Sequence, residues 1–177
     1  MIIKFEKLKN KKPEFFLDKI FIYPTDTIYG IGCDAENEFL VDKISEIKKR
    51  DIKPFSVIAP SVEWILENCE TTKEEIEKFL PGAYTLILKK KDKNFLLKVS
   101  ENDFLGVRIP LHPITEILQK IGKPIVTTSV NFSGEPFITD LKKIPKEIKK
   151  EIDFIVDDGI ILGAPSKIIK DGKILER

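Results

Sequence analysis

Three stretches decide the fold: Lys19-Ile-Phe-Ile-Tyr23, Glu38-Phe-Leu-Val-Asp-Lys-Ile-Ser-Glu-Ile-Lys48 and Phe55-Ser-Val-Ile-Ala59. The outer two are short apolar runs with the β-branched and aromatic content of buried strands, and the middle one sets Leu40, Ile44 and Ile47 at helical spacing. Strand, helix, strand is the opening of an α/β chain. Downstream, Thr72-Lys-Glu-Glu75 has the form of a capping box that starts a helix running to about residue 80, where Pro81-Gly82 stops it. Residues 85–89 predict a strand, residues 113–121 a helix closed by Gly122, and residues 123–128 another strand. Asp171-Gly172 sits between strand-like residues 166–170 and 173–177 and is a two-residue hairpin signal. Helical crossovers combined with a hairpin predict an open, twisted, mixed sheet with helices.

Nothing divides the chain. Its 177 residues suit one domain, 1–177, and 42% hydrophobic content supplies a single core. No apolar run is long enough for a membrane helix, and the N-terminus meets Lys4 before any signal-like segment develops, so a cytoplasmic location with no membrane partner is expected. Cys33 and Cys69 lack metal or disulfide spacing. A net charge of +1 gives no bulk drive toward nucleic acid, so phosphate recognition has to be local, and the lysine runs at 9–12, 89–91 and 142–143 read as solvated faces.

Chemistry is concentrated in a few segments. Tyr23-Pro-Thr-Asp-Thr-Ile-Tyr-Gly-Ile-Gly32 follows a buried strand yet is rich in hydroxyls. If extended, its period of two aligns Thr25, Thr27 and Tyr29 toward a small polar ligand, with Gly30 and Gly32 allowing close backbone approach; a simple turn is the alternative. Lys48 and Arg50 converge on one polyanion if the helix ends between them, or else complement a helix C-terminus, with Lys49 facing away. Thr127-Thr-Ser-Val-Asn-Phe-Ser-Gly134 places alternating Ser129, Asn131 and Ser133 beyond a strand end, as ligand contacts or as an Asx/Ser turn. Arg108 interrupts the apolar run Gly106-Val-Arg-Ile-Pro110 and has to reach either water or an anion, the latter a ligand carboxylate or an internal Asp or Glu. His112, the single histidine, reads as a surface residue at a helix start. There is no phosphate loop ending in Lys-Ser/Thr, no Gly-x-Ser-x-Gly and no histidine metal cluster.

In this order, Pro24-Thr-Asp-Thr-Ile-Tyr-Gly-Ile-Gly32, Lys48-x-Arg50, Pro81-Gly-Ala-Tyr-Thr-Leu86, Gly106-Val-Arg-Ile-Pro110, Ser129-Val-Asn131 with Ser133-Gly134, and Pro165-Ser166 resemble the YrdC-like family of threonylcarbamoyl-AMP synthases. The resemblance implies the short, single-domain form, with the sheet curled round a deep basic cleft. It implies nucleotide contacts from Lys48, Arg50, Ser129, Asn131 and Ser166, with Lys48 and Arg50 catalytic, and threonine and carbamate contacts from Thr25, Thr27, Tyr29 and Arg108. Where many members have Ser-Thr this chain has Ser166-Lys167, its ending Leu175-Glu-Arg177 only approximates the family's close, and Ile58 stands where longer members carry a histidine.

The implied reaction is that of a nucleotidyltransferase: ATP, L-threonine and bicarbonate or CO2 give threonylcarbamoyl-AMP and pyrophosphate, with Mg2+ carried on ATP. The product would pass to a threonylcarbamoyl-transferase complex that modifies tRNA. Two alternatives share the scaffold: a double-stranded RNA or tRNA-binding module without synthase activity, and a carbamoyl-adenylate-forming paralogue.

Overall fold

The computed structural model describes residues 1–8, 10–49 and 54–175. In chain order the elements are β1 (Ile2–Lys4), α1 (Phe5–Leu8), β2 (Phe21–Tyr23), β3 (Gly30–Gly32), α2 (Glu38–Lys48), β4 (Ser56–Ile58), α3 (Val62–Asn68), β5 (Cys69–Glu70), α4 (Lys73–Glu77), β6 (Tyr84–Lys90), β7 (Phe104–Arg108), α5 (Ile114–Gln119), β8 (Ile125–Ser129), α6 (Lys146–Lys150), β9 (Phe154–Asp157), β10 (Lys167–Lys170) and β11 (Lys173–Leu175), with single 3₁₀ turns at Pro13–Phe16 and Leu141–Lys143.

Among the described residues 11 strands join in one mixed sheet, ordered β1-β9-β2-β3-β8-β4-β7-β6-β10-β11, with β5 also on β6. Parallel pairs (β1 with β9, β2 with β9, β4 with β7, β6 with β10) interleave with antiparallel ones (β2 with β3, β3 with β8, β4 with β8, β6 with β7, β10 with β11). The expected mixed sheet is what the chain forms.

The predicted helix over Glu38–Lys48 has those bounds. Asn37 caps it by accepting the Leu40 N–H at 3.2 Å, and Leu40, Val41, Ile44 and Ile47 form its buried stripe. Each such aliphatic contributes roughly 1.5–3 kcal/mol on burial. The helix ends where Lys49 turns left-handed at φ 48°, a local stop that does not depend on Pro54. Thr72 caps α4 as expected, accepting from Glu75 N, although regular helix stops at Glu77 and the last turn to Leu80 is held by its N–H to Ile76 O. The helix expected over 113–121 is shorter, with Pro113 as its cap, and Gly122 follows at φ 74°. Asp171 and Gly172 both take positive φ and close the β10–β11 hairpin with Lys170 opposite Lys173. Glu176 and Arg177 lie outside the described residues.

Side chains on β4, β6, β7, β8 and β10 alternate. Val57, Leu86, Leu105, Val107, Val126 and Ile169 enter the main core, which also takes the α2 stripe. Their neighbours Ser56, Thr85, Ile87, Gly106, Thr127 and Ile168 face the other way. A second core, including Phe16, Phe21, Tyr23, Ile58, Ile125 and Phe154, packs beyond the open stretch, Ile58 and Ile125 sharing the face of Ser56 and Thr127 on β4 and β8.

One expectation fails for the lysine run 89–91. Lys90 is 3% exposed, and its ammonium donates to the carbonyls of Lys93, Phe95 and Ser100 at 3.0, 3.0 and 2.9 Å. Lys89 instead pairs with Glu70 on the neighbouring strand, and Lys91 donates to the Leu66 carbonyl. The segment is strand β6, so one lysine of the run must point inward.

Gly32 was expected to open backbone to a ligand; it makes room for packing. A Cβ there would strike the Val126 carbonyl oxygen and lie 2.8 Å from the Tyr23 ring, whereas one at Gly122 would meet nothing within 4 Å. Gly32→Ala is therefore expected to lower unfolding free energy by about 2–3 kcal/mol in urea titration. Gly122→Ala, strained only by its positive φ, should lose about 1 kcal/mol.

Candidate active site

The alternation just described leaves one face of the sheet open as a cavity of about 540 Å³, a size suited to a nucleotide-scale ligand. Its floor is a row of small groups across four strands: Ile87 lies opposite Gly106, Gly106 opposite Ser56, and Ser56 opposite Thr127. Gly106 is required there, because a Cβ would collide with the Ser56 hydroxyl. The walls come from the β2–β3 connection (Thr25, Ile28, Tyr29), the end of β8 (Thr128, Ser129), Pro165 and Ser166 before β10, and Asn102 with Phe104 at the start of β7.

The β2–β3 connection is not extended, so its hydroxyls do not form a simple row. Thr25 Oγ accepts the N–H groups of Thr27 and Ile28 at 3.2 and 3.3 Å and donates to the Ile28 carbonyl at 2.7 Å. With that proton committed, the 2.9 Å contact between the two threonine hydroxyls runs from Thr27 to Thr25. The turn brings Thr25 and Tyr29 to the cavity wall and buries Thr27 behind them. Tyr29 donates to the Gly159 carbonyl at 2.7 Å and accepts the Asp158 N–H at 3.0 Å. Burial lifts its phenol to about 12, so it keeps the proton it donates. Gly163 packs so closely on the Thr27 carbonyl that any Cβ would overlap that oxygen, which presses the segment before β10 against this turn.

Arg108 lines the same cavity and is 6% exposed. Its guanidinium donates to Asp26 Oδ1 at 3.0 Å and to the Thr27 hydroxyl at 3.2 Å. Of the two expected anion sources, the internal acid is present. Asp26 also accepts the Leu111 N–H at 2.9 Å. Asp26 escapes notice in the sequence: it is a lone acid in a hydroxyl turn whose partner lies far along the chain.

Lys48 is 2% exposed, and its ammonium donates to the Ser129 carbonyl and to Asn131 Oδ1 at 2.7 Å, with Ser129 Oγ 3.4 Å away. Ser129 also donates to Asn131 Oδ1, and the Asn131 amide donates to the Glu135 carbonyl. The turn and ligand readings of this segment thus coexist: Asn131 is 9% exposed and organises the turn, while Ser129 reaches the cavity. Lys49 is exposed, with its ammonium 4.3 Å from the Phe132 ring centre. Arg50 lies outside the described residues, as does Lys53. Among the described lining residues Arg108 is the charged side chain, and the Lys48 charge stands directly behind Ser129.

Ser166 is 5% exposed and shares a 2.7 Å hydrogen bond with Thr85, another lining hydroxyl that sequence reading left without a role. His112 is partly buried at the surface, at the start of a helix as expected. Its ring is 14% exposed, its Nδ1 accepts the Ile114 N–H at 3.0 Å, and its Nε2 is 3.1 Å from Asp158. Nδ1 accepting puts the proton on Nε2, which donates to Asp158. Among the described residues no group of three or more His, Cys, Asp and Glu could hold a metal ion, and no helix is long and apolar enough to cross a membrane.

The Arg108–Asp26 side chains are 7% and 11% exposed, so removing one partner strands a buried charge. Asp26→Ala is expected to cost about 3 kcal/mol in chemical denaturation. Replacing Arg108 with leucine in the same chain should recover part of that loss.

Residues 17–176 match the profile of the Sua5/YciO/YrdC family, described as telomere recombination. A Methanocaldococcus jannaschii protein, provisionally named a threonylcarbamoyl-AMP synthase, is 39% identical over 171 residues, covering 93% of this chain and 81% of its own. A Pseudoalteromonas atlantica protein named threonylcarbamoyl-AMP synthase is 30% identical over 165 residues, covering 88% of this chain and 87% of its own. The crystal structure of P. abyssi Sua5 complexed with L-threonine superposes with a TM-score of 0.83 at 28% identity; it covers 98% of this chain, which spans 55% of that one. By profile and by full-length relatives alike, the chain belongs to the Sua5/YciO/YrdC family.

Proposed function

We propose that this chain is a threonylcarbamoyl-AMP synthase, an enzyme that joins ATP to N-carboxylated L-threonine for threonylcarbamoyl modification of tRNA. The observation that carries the proposal is the cavity itself. It gathers Thr25, Tyr29, Arg108, Ser129 and Ser166, drawn from distant parts of the chain, around one space. Relatives bearing the synthase name, and a relative of known structure that binds L-threonine, support that choice.

The chemistry suits the lining. L-threonine and bicarbonate give a carbamate whose oxygen is already anionic, so no side chain has to remove its proton. Among the described lining residues there is no carboxylate, histidine or lysine to act as a general base. The carbamate oxygen attacks the α-phosphorus of ATP, the bond from that phosphorus to the bridging oxygen breaks, and pyrophosphate leaves with the electron pair. Mg2+ enters as part of the MgATP substrate and offsets charge on the phosphates.

The residues divide by chemistry. Thr25, Tyr29 and Arg108 form the wall assigned to threonine and its carbamate, where Arg108 brings the cation and Thr27 holds its guanidinium in place. Ser129 and Ser166 face the nucleotide. Lys48 supplies positive potential from behind Ser129 and fixes the turn through Asn131, and Arg50 is assigned to the phosphates. The product is passed to a threonylcarbamoyl-transferase complex acting on tRNA.

Pyrophosphate release from MgATP, measured with and without L-threonine and bicarbonate, tests the proposal. Release is expected only when both are present. Threonine-independent release would assign the chain to a carbamoyl-activating paralogue, and absence of turnover together with RNA binding would make it a binding module.

Lys48→Ala is expected to lower kcat/KM by about 100-fold, because both the charge and the ordered Ser129–Asn131 turn are lost. Lys49→Ala, which removes only an exposed contact with Phe132, should stay within about twofold of the parent. Equal activity of the two variants would remove Lys48 from the mechanism.

A further inference from the structure

Lys90 is a buried cation that the synthase chemistry does not use. Its ammonium sits in a nest of three carbonyls, from Lys93, Phe95 and Ser100, and its backbone N–H donates to the Asp103 carbonyl at 2.8 Å. These contacts gather the loop between β6 and β7 onto one residue, the side chain holding Lys93, Phe95 and Ser100 and the backbone holding Asp103. Three donors meeting three acceptors is complete satisfaction for an ammonium, and burial draws its pKa down from the ordinary lysine value.

The loop so held is attached to the cavity at two places. Ser100, 1% exposed, donates its hydroxyl to the Phe104 carbonyl at 2.7 Å and lies 3.2 Å from Asn102 Oδ1, which in turn accepts the Phe104 N–H at 2.8 Å. Asn102 and Phe104 line the cavity. One residue before Ser100, the Val99 carbonyl accepts the Phe55 N–H at 2.8 Å, and Phe55 with Pro54 lines the cavity from the β4 side. A single ammonium therefore stands at the centre of hydrogen bonds that seat two separate stretches of one wall.

We propose that Lys90 is a positioning residue for the nucleotide side of the cavity, fixing the wall formed by Phe55, Asn102 and Phe104. It does not touch substrate; it acts through Ser100 and Val99. The assignment of this wall to the nucleotide rests on the synthase proposal above, since Thr25, Tyr29 and Arg108 occupy the threonine side.

The chain carries its own reporter. Trp64, its single tryptophan, packs against Phe95 of the same loop with ring centres 5.7 Å apart. Lys90→Met keeps the aliphatic stem and removes the charge, leaving three carbonyls without their donor. The expected results are a shift of Trp64 emission to longer wavelength, a rise of about tenfold in KM for MgATP, and KM for L-threonine and kcat at saturating ATP within about twofold. Unchanged emission and unchanged constants would overturn the proposal, as would a loss shared equally by both substrates. Should Lys90→Met fail to fold, Ser100→Ala takes its place: it spares the nest and cuts the link to Asn102 and Phe104, so KM for MgATP should rise while Trp64 emission stays put. Unchanged KM for MgATP in Ser100→Ala overturns the proposal. A parent chain with no threonine-dependent pyrophosphate release would sink the synthase assignment alone, because the Trp64 response to Lys90→Met is read without turnover.

Discussion

A strand has two faces, and across β4, β6, β7, β8 and β10 one is packed along its length while the other is left open from Thr127 and Ser56 to Thr85 and Ile168, with Ile58 and Ile125 at its edge packed in the second core. That restriction governs the rest of the molecule. Val57, Leu86, Leu105, Val107, Val126 and Ile169 take the packed face and carry the cohesion of the sheet, so their neighbours are released from packing duty. Ser56, Gly106 and Thr127 then keep the open face shallow enough for a ligand. A one-residue slip of β7 would exchange Arg108 for Val107 at the cavity, so the hydrophobic pattern that holds the sheet together also aims the functional side chain.

Buried cations are the second theme. Arg108 meets Asp26 and Thr27, Lys48 meets Ser129 and Asn131, and Lys90 meets three carbonyls. An ammonium or guanidinium out of water is tolerated only where its donors are matched. The matching differs in kind. Arg108 is held by a carboxylate, which cancels its charge at short range. Lys48 and Lys90 are held by neutral dipoles, so their field is reduced less and extends further. For Lys48 that field reaches the Ser129 end of the cavity.

Much of this was legible in the sequence, and what escaped did so for identifiable reasons. The α2 stripe, the Glu38-to-Lys48 span, the Thr72 cap and the Asp171-Gly172 hairpin are local patterns, and local patterns survive translation into structure. The hydroxyl segments were recognisable by composition, but their geometry was not: Thr25 prefers to close a turn on Thr27 and Ile28, which defeats the period of two. Asp26 and Thr85 were overlooked because their partners, Arg108 and Ser166, are supplied by the fold. Lys90 looked like one of three solvated lysines, and only the loop that returns over it makes it different.

The hydrogen bond between Thr85 and Ser166 spans 81 residues of sequence, and the pairing of β10 on β6 sets Ile168 opposite Thr85 across a similar separation. Bringing such distant stretches together has an entropic cost that the β6–β10 pairing has to offset. The cavity therefore has no independent existence on a partly folded chain: until β10 docks, Ser166 and Ile168 are missing from its wall. The site is thus a property of the assembled sheet and of no single segment, since part of its wall is held in place by the pairing of β10 on β6.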